Sequence, residues 1–293
     1  MTKICLNMIV CSESKNILRC LRSVVPIIDC WCILDTGSTD DTRELINTFM
    51  FGRNIPGKLK RGKFENFSQA RNLALEHAED MGGFDYHLLV DADMTWVGVL
   101  DKEALTENAY MIRQKDVPSG AEYFNIRLVK RGIGARYIGV THEYIEVPSD
   151  NGYPKLHGGM FIDFADGANR PGKFERDIAL LKAEVERDPE DARSLFYLAQ
   201  SYRDAGRLEK AASLYRQRAQ MLRGWEEERW YALLMYARCC MSLGWHREGL
   251  RQLQEAHIER SWRKEPLRDL ARYYLDKANA ITDTRDDILF LEP

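Results

Sequence analysis

The hydrophobic period of this chain changes once along its length, and that change limits the folds open to it. Up to about residue 166, short apolar runs alternate with helical patterns; beyond it the period is helical only. Residues 3–10 read as a mostly apolar strand, and residues 16–25 carry Ile17, Leu18, Leu21, Val24 and Val25 at helical spacing before Pro26. A second strand, Trp31-Cys32-Ile33-Leu34, runs into Asp35-Thr36-Gly37-Ser38-Thr39-Asp40-Asp41. That run reads as a glycine turn and a helix start, with Ser38 and Asp41 at capping-box spacing. Residues 58–63 are poorly patterned. Ser68 then stands where it can cap a helix through Ala70, Leu73, Ala74 and His77. Strand alternating with helix predicts an α/β domain built on a largely parallel, nucleotide-binding sheet.

The next strand, Tyr86-His87-Leu88-Leu89-Val90, ends in Asp91-Ala92-Asp93. Side chains alternate along an extended strand, so the two acids are expected to point the same way at its C-terminal edge, where open α/β sheets bind ligands. Two hard oxygen ligands there suit Mg²⁺ or Mn²⁺ carrying a diphosphate. In a charged chain the same triplet is commonly a solvated loop, so the spacing alone does not decide. Further on, residues 124–131 read as a strand and residues 137–147 as a second extended segment containing His142-Glu143. His77 and His87 fall inside helix and strand patterns, where structural histidines are the default.

From Pro171 the pattern is helical, with Ile178, Leu181 and Val185 on one face before the stop at Asp188-Pro189. Leu195, Leu198, Ala199, Tyr202, Gly206, Ala211 and Tyr215 follow the spacing of a helix-turn-helix repeat, and Leu233, Tyr236, Ala237, Gly244, Gly249 and Leu253 repeat it. Leu267, Leu270, Ala271 and Tyr274 open a third unit at the interval of roughly 34 residues typical of tetratricopeptide repeats. Such repeats either cap a neighbouring domain or bind a partner in a groove, and Trp225, Trp230, Tyr231, Trp245 and Trp262 serve a core or a groove equally well.

Composition narrows the function classes. The formal net charge is −3, with basic and acidic residues interleaved, so neither a nucleic-acid footprint nor a membrane-binding basic helix is indicated. No long apolar span or leader-like segment is read. The seven cysteines form no zinc-like Cys-x-x-Cys pairs; Cys30-Trp31-Cys32 and Cys239-Cys240 read as core thiols, and the expectation is a cytoplasmic enzyme.

Five blocks in order carry a resemblance: Asn7-Met8-Ile9-Val10 with Glu13, Asp35-Thr36-Gly37-Ser38-Thr39-Asp40, Phe67-Ser68-Gln69-Ala70-Arg71-Asn72, Leu89-Val90-Asp91-Ala92-Asp93, and His142-Glu143. Together they resemble the inverting family 2 glycosyltransferases, in particular members with a C-terminal tetratricopeptide extension. Two departures stand out. Thr36 replaces a second acid found in many relatives, and Cys11-Ser12-Glu13 stands where the subgroup often reads Lys-Asn-Glu.

The resemblance implies a GT-A, Rossmann-like domain at residues 1–166 and a tetratricopeptide-like helical domain at residues 167–293. It also implies a division of roles. Val10, Glu13, Asp35, Arg71 and Asp91 contact the nucleotide; Asp93, with Asp91 and His157, surrounds Mn²⁺ or Mg²⁺; Glu143 is the base that deprotonates the acceptor as it attacks opposite the leaving diphosphate. His142 either stacks on the acceptor or ligates metal. The donor is read as a nucleotide sugar, UDP-linked before other bases, and the acceptor as a peptide or protein side chain before a saccharide. A tetratricopeptide adaptor with an inactive nucleotide-binding domain and a nucleotidyltransferase are the competing readings. Intact Asp91, Asp93 and Glu143 weigh against the first, and pyrophosphate as product would mark the second.

Overall fold

A computed structural model describes residues 1–148, 152–167 and 172–289. The chain divides into two compact units, Met1–Lys173 and Phe174–Pro293. In the first, the elements run β1 (Ile4–Val10), α1 (Ile17–Val24), β2 (Cys30–Asp35), α2 (Thr42–Phe51), β3 (Gly57–Arg61), α3 (Phe67–Met81), β4 (Tyr86–Leu89), β5 (Met94–Gly98), β6 (Ala109–Asp116), β7 (Glu122–Lys130), β8 (Arg136–Ile138), β9 (Tyr144–Glu146) and β10 (Lys155–Asp163). Among the described residues one sheet takes the order β3-β2-β1-β4-β7-β6-β10-β5, and β8 pairs with β9 in a separate hairpin.

Only half of the main sheet is the parallel one that the alternating pattern predicts. Strands β3, β2, β1 and β4 are parallel, β7 then runs antiparallel to both β4 and β6, and β5 is antiparallel to β10. The poorly patterned residues 58–63 include most of the edge strand β3, whose Lys58, Lys60 and Arg61 leave it little apolar periodicity and suit an exposed sheet edge. The parallel half owes its stability to strands that are apolar on both faces: Ile4, Leu6, Met8, Trp31, Ile33 and Leu88 cluster on one face with Ile17, Leu21 and Val24 of α1, and Cys5, Cys30 and Cys32 on the other with Ala78 of α3. Register aligns the strand ends. Val10 lies opposite Asp35, and Asn7 opposite Leu89, so the chain leaves β1, β2 and β4 at a common edge.

Two caps differ from expectation. α3 is capped by Asn66, whose Oδ1 accepts the Gln69 N–H at 2.8 Å, while Ser68 Oγ donates to the same oxygen. Before α2, Ser38 accepts the Ser12 N–H instead of capping, and Asp40 Oδ1 accepts from Thr42.

The second unit is all α: α4 (Lys173–Arg187), α5 (Ala192–Asp204), α6 (Leu208–Gln220), α7 (Glu226–Ser242), α8 (His246–Glu259) and α9 (Glu265–Leu289). Pro171, where the sequence pattern turns helical, lies outside the described residues. Gly206 and Gly244, at φ +75° and +77°, make the turns of the pairs α5–α6 and α7–α8. Leu195, Leu198, Ala199, Tyr215, Leu233, Ala237 and Leu253 of the repeat pattern are buried. Trp230 belongs to this core, donating from Nε1 to the Ala256 carbonyl at 2.8 Å, whereas Trp225, Trp245 and Trp262 are exposed. An α/β unit followed by a helical array is thus the observed architecture. Among the described residues no helix is long and apolar enough to cross a membrane.

Candidate active site

The common edge of β1, β2 and β4 collects most of the singled-out residues. Asp35 ends β2, 2% exposed, and its Oδ1 accepts the N–H groups of Gly37 and Ser38 at 2.7 and 2.8 Å. Gly37 reaches φ +123° to make that turn. The second oxygen, Oδ2, is buried with no hydrogen-bond partner among the described residues and lies 3.7 Å from Arg43 Nε. A buried carboxylate oxygen left in this state is suited to a ligand donor.

β4 stops at Leu89, so Asp91 and Asp93 stand in the turn beyond it and not on the strand. The pleat no longer governs them, and they meet different partners. Asp91 is gripped on both oxygens: Arg71 Nη2 reaches Oδ1 at 2.6 Å and Arg127 Nη1 reaches Oδ2 at 3.0 Å. Burial pushes its carboxyl up, but the two guanidiniums outweigh burial and hold it well below the usual carboxylate range. Asp93 instead accepts the Gly167 N–H at 3.1 Å and has no ion pair among the described residues. Burial, with the charges of Asp91 and Asp163, pushes its carboxyl up to about 6.

Arg71 joins the acids to the predicted base. Its Nε donates to Glu143 Oε1 at 2.6 Å while its Nη2 holds Asp91. Burial works against its charge, yet Asp91 and Glu143 raise it well above the ordinary guanidinium value. Residues 137–147 are not one extended segment: Glu143 sits in the turn of the β8–β9 hairpin, beside His142 at φ +51°. That hairpin is tied to α3, since Asn72 bonds both the N–H and the carbonyl of Tyr137, and Phe67 N–H donates to Val140. The ties account for how a residue 72 positions from Arg71 arrives against it.

The segment after β10 folds over Asp93. Arg19 holds it, pairing with Asp166 at 2.7 Å and lying over the Phe164 ring at 4.1 Å. A Cβ on Gly167 would come to 3.0 Å from Asp93 Oδ2 and 3.1 Å from Glu13 Oε2, so any larger residue there would push on both carboxylates. Ser12, His142 and Ala165 all have φ above +50° and all flank this edge, where strained backbone commonly marks function. Val10 and Glu13 lie at the end of β1 and in the loop after it.

His157 is placed elsewhere. It is exposed on β10, six residues before Asp163, and lines a cavity of about 700 Å³ with Val97, Arg113, Tyr123, Phe124 and Met160. Asp163, whose carboxyl burial and the Asp91 charge push up, is the β10 residue that reaches the acids. Sequence reasoning missed Arg127. The available signal was a lone arginine between Ile126 and Leu128 in an apolar strand, a position that demands a charged partner when buried. Among the described residues no three His, Cys, Asp or Glu groups are placed to hold a metal by themselves.

A search of curated proteins finds no match. Among solved structures, the mannosyltransferase PcManGT from Pyrobaculum calidifontis, in complex with GDP-Man and Mn²⁺, is 13% identical with a TM-score of 0.43, over 90% of this chain and 84% of that one. S. aureus TarS 1–349 in complex with UDP-GlcNAc is 15% identical with a TM-score of 0.38, over 81% of both chains. MamA is 17% identical with a TM-score of 0.34 over 40% of this chain, which spans 66% of MamA, just under two thirds of its length. With TM-scores below 0.5, these likenesses carry no weight for activity. Residues 5–101, the segment that bears Val10, Glu13, Asp35, Arg71, Asp91 and Asp93, match the model of Glycosyl transferase family 2.

Proposed function

We propose that the chain is an inverting glycosyltransferase of the GT-A kind, using a nucleotide sugar, with residues 1–166 as the catalytic domain and residues 167–293 as the tetratricopeptide-like one. The observation that carries the reading is one guanidinium, Arg71, holding Asp91 and Glu143 together beside the buried Asp93, within and adjoining the segment that matches the family.

In this reading Asp35 Oδ2 accepts from the nucleoside, and Val10 and Glu13 line the same edge. Asp91, fixed by its two arginines, orients the ribose side of the donor. Asp93 fits a divalent cation, because it is a buried acid among acids with no cationic side chain paired to it among the described residues. One or two carboxylates plus substrate phosphates are the usual holders of Mg²⁺ or Mn²⁺. When bound, such an ion neutralises charge on the departing diphosphate. His157, at the other end of β10, stands outside this shell. Glu143 takes the acceptor proton, and Arg71 keeps it facing the donor. The donor is proposed as UDP-linked and the acceptor as a peptide or protein side chain, since helical repeats bind extended chains.

The test is a donor screen: the protein is incubated with UDP- and GDP-sugars and Mn²⁺, and released nucleotide is identified. Release of a nucleoside diphosphate supports sugar transfer. Pyrophosphate would establish nucleotidyl transfer instead, and no turnover or nucleotide binding would favour the adaptor reading.

A further inference from the structure

Arg127 is held at a third point that the site chemistry leaves unused. Gln114 of β6, fully buried, accepts the Arg127 Nε–H on its Oε1 at 2.8 Å, and its own amide donates to the Tyr123 hydroxyl at 3.5 Å. β6 and β7 set these residues in register, Gln114 lying opposite Tyr123. A buried amide in a strand is costly to desolvate, and an apolar side chain would fill the same volume at less cost. The amide here fixes the plane of a guanidinium whose Nη1 reaches Asp91 at 3.0 Å and the Leu89 carbonyl at 3.4 Å. With Nε and Nη1 both directed, the fork has one orientation, and Asp91 Oδ2 is located by it.

We infer that Gln114 is a positioning residue, which locks Arg127 onto Asp91 and through it sets the carboxylate that shares Arg71 with Glu143. The functional side of this inference rests on the glycosyltransferase reading; its structural side does not. Fully buried, Gln114 presents no surface to a substrate. Its removal acts by letting Arg127 swing, which loosens Asp91 and weakens the donor's hold, so the donor KM rises more than kcat falls.

The experiment combines ¹⁵N relaxation of the Arg127 Nε–Hε group with donor kinetics in three variants. Gln114→Met keeps the volume without an acceptor, Gln114→Asn retracts the amide by one methylene, and Gln114→Glu keeps an acceptor at the same reach. An ordered Arg127 in wild type, a mobile one in the Met and Asn variants, and recovery in Gln114→Glu are expected. Donor kcat/KM should fall between about 10- and 100-fold in the first two and recover in the third. A purely packing role would leave the Arg127 signal unchanged in Gln114→Asn, which overturns the inference; that variant also serves if Gln114→Met does not fold. Loosening of Arg127 in a protein that turns over no sugar nucleotide supports the positioning role and overturns the functional reading.

Discussion

At the scale of single residues, Asp93 is an acid held in surroundings that oppose its charge. Its carboxyl, pushed up to about 6 from an ordinary 3.8, lies above its unfolded value, so between about pH 4 and 6 the folded chain binds more protons than the unfolded one. Ionisation of Asp93 therefore weakens the fold as pH rises through that window. In chelator-treated protein Asp93→Asn should raise stability at pH 7 by about 1–3 kcal/mol and lose that advantage near pH 4, as read from denaturant midpoints. A variant no more stable than wild type at pH 7 would remove the strain. The same substitution should abolish Mn²⁺-dependent nucleotide binding in calorimetry. Glu143→Gln tests the other acid. It keeps an acceptor for Arg71 but cannot take a proton, so donor affinity should stay near wild type while transfer falls by roughly 10²-fold or more. Intact binding with undiminished transfer would pass the base role to His142 or Asp163.

At the scale of elements, the β8–β9 hairpin packs on α3, with Tyr137 and Ile145 in one apolar cluster with Leu75, and the base rides on it. Asn72 supplies two of the hydrogen bonds. Asn72→Ala should cost about 1–3 kcal/mol by leaving the Tyr137 peptide without its side-chain partner, and should speed hydrogen exchange at the Tyr137 amide. Transfer should suffer more than donor binding, since Asp91 keeps both arginines while Glu143 drifts. Equal losses in both would mean the hairpin also shapes the nucleotide site. In the helical unit the α6–α7 turn closes around Arg218, fully buried, which donates to the Met221 and Trp225 carbonyls and faces Glu228 at 3.8 Å. Burial pulls its guanidinium below the ordinary value. Arg218→Ala should lower stability by about 2–4 kcal/mol, because it strands those carbonyls and leaves a cavity in the turn, while Glu228 keeps its 2.9 Å pair with Arg193. Thermal melts showing a loss under 1 kcal/mol would contradict this.

At the scale of the molecule, the unit Met1–Lys173 contains the sheet and every proposed site residue. Expressed alone it should unfold cooperatively and bind nucleotide with Mn²⁺ as tightly as the full chain. Transfer to acceptor should drop if the helical unit recruits it. A fragment that is soluble yet binds no nucleotide would show that the helical unit completes the donor site; one with undiminished transfer would leave the repeats no part in acceptor recruitment.

Local pattern was sufficient for much of this. The sequence alone determined the alternation of strand and helix, the helical repeats with their glycine turns, and the edge where Asp35, Asp91 and Asp93 emerge, because hydrophobic period and turn chemistry act over a few residues. What pairs with what was decided by tertiary structure. The mixed half of the sheet, the edge strand β3, the clamp of Gln114 and Arg127 on Asp91, and the meeting of Arg71 with Glu143 all join residues far apart in the chain. Strand order and ion pairing of this kind leave no period to read. A buried arginine in an apolar strand signals that it needs a partner, but only the folded sheet supplies one.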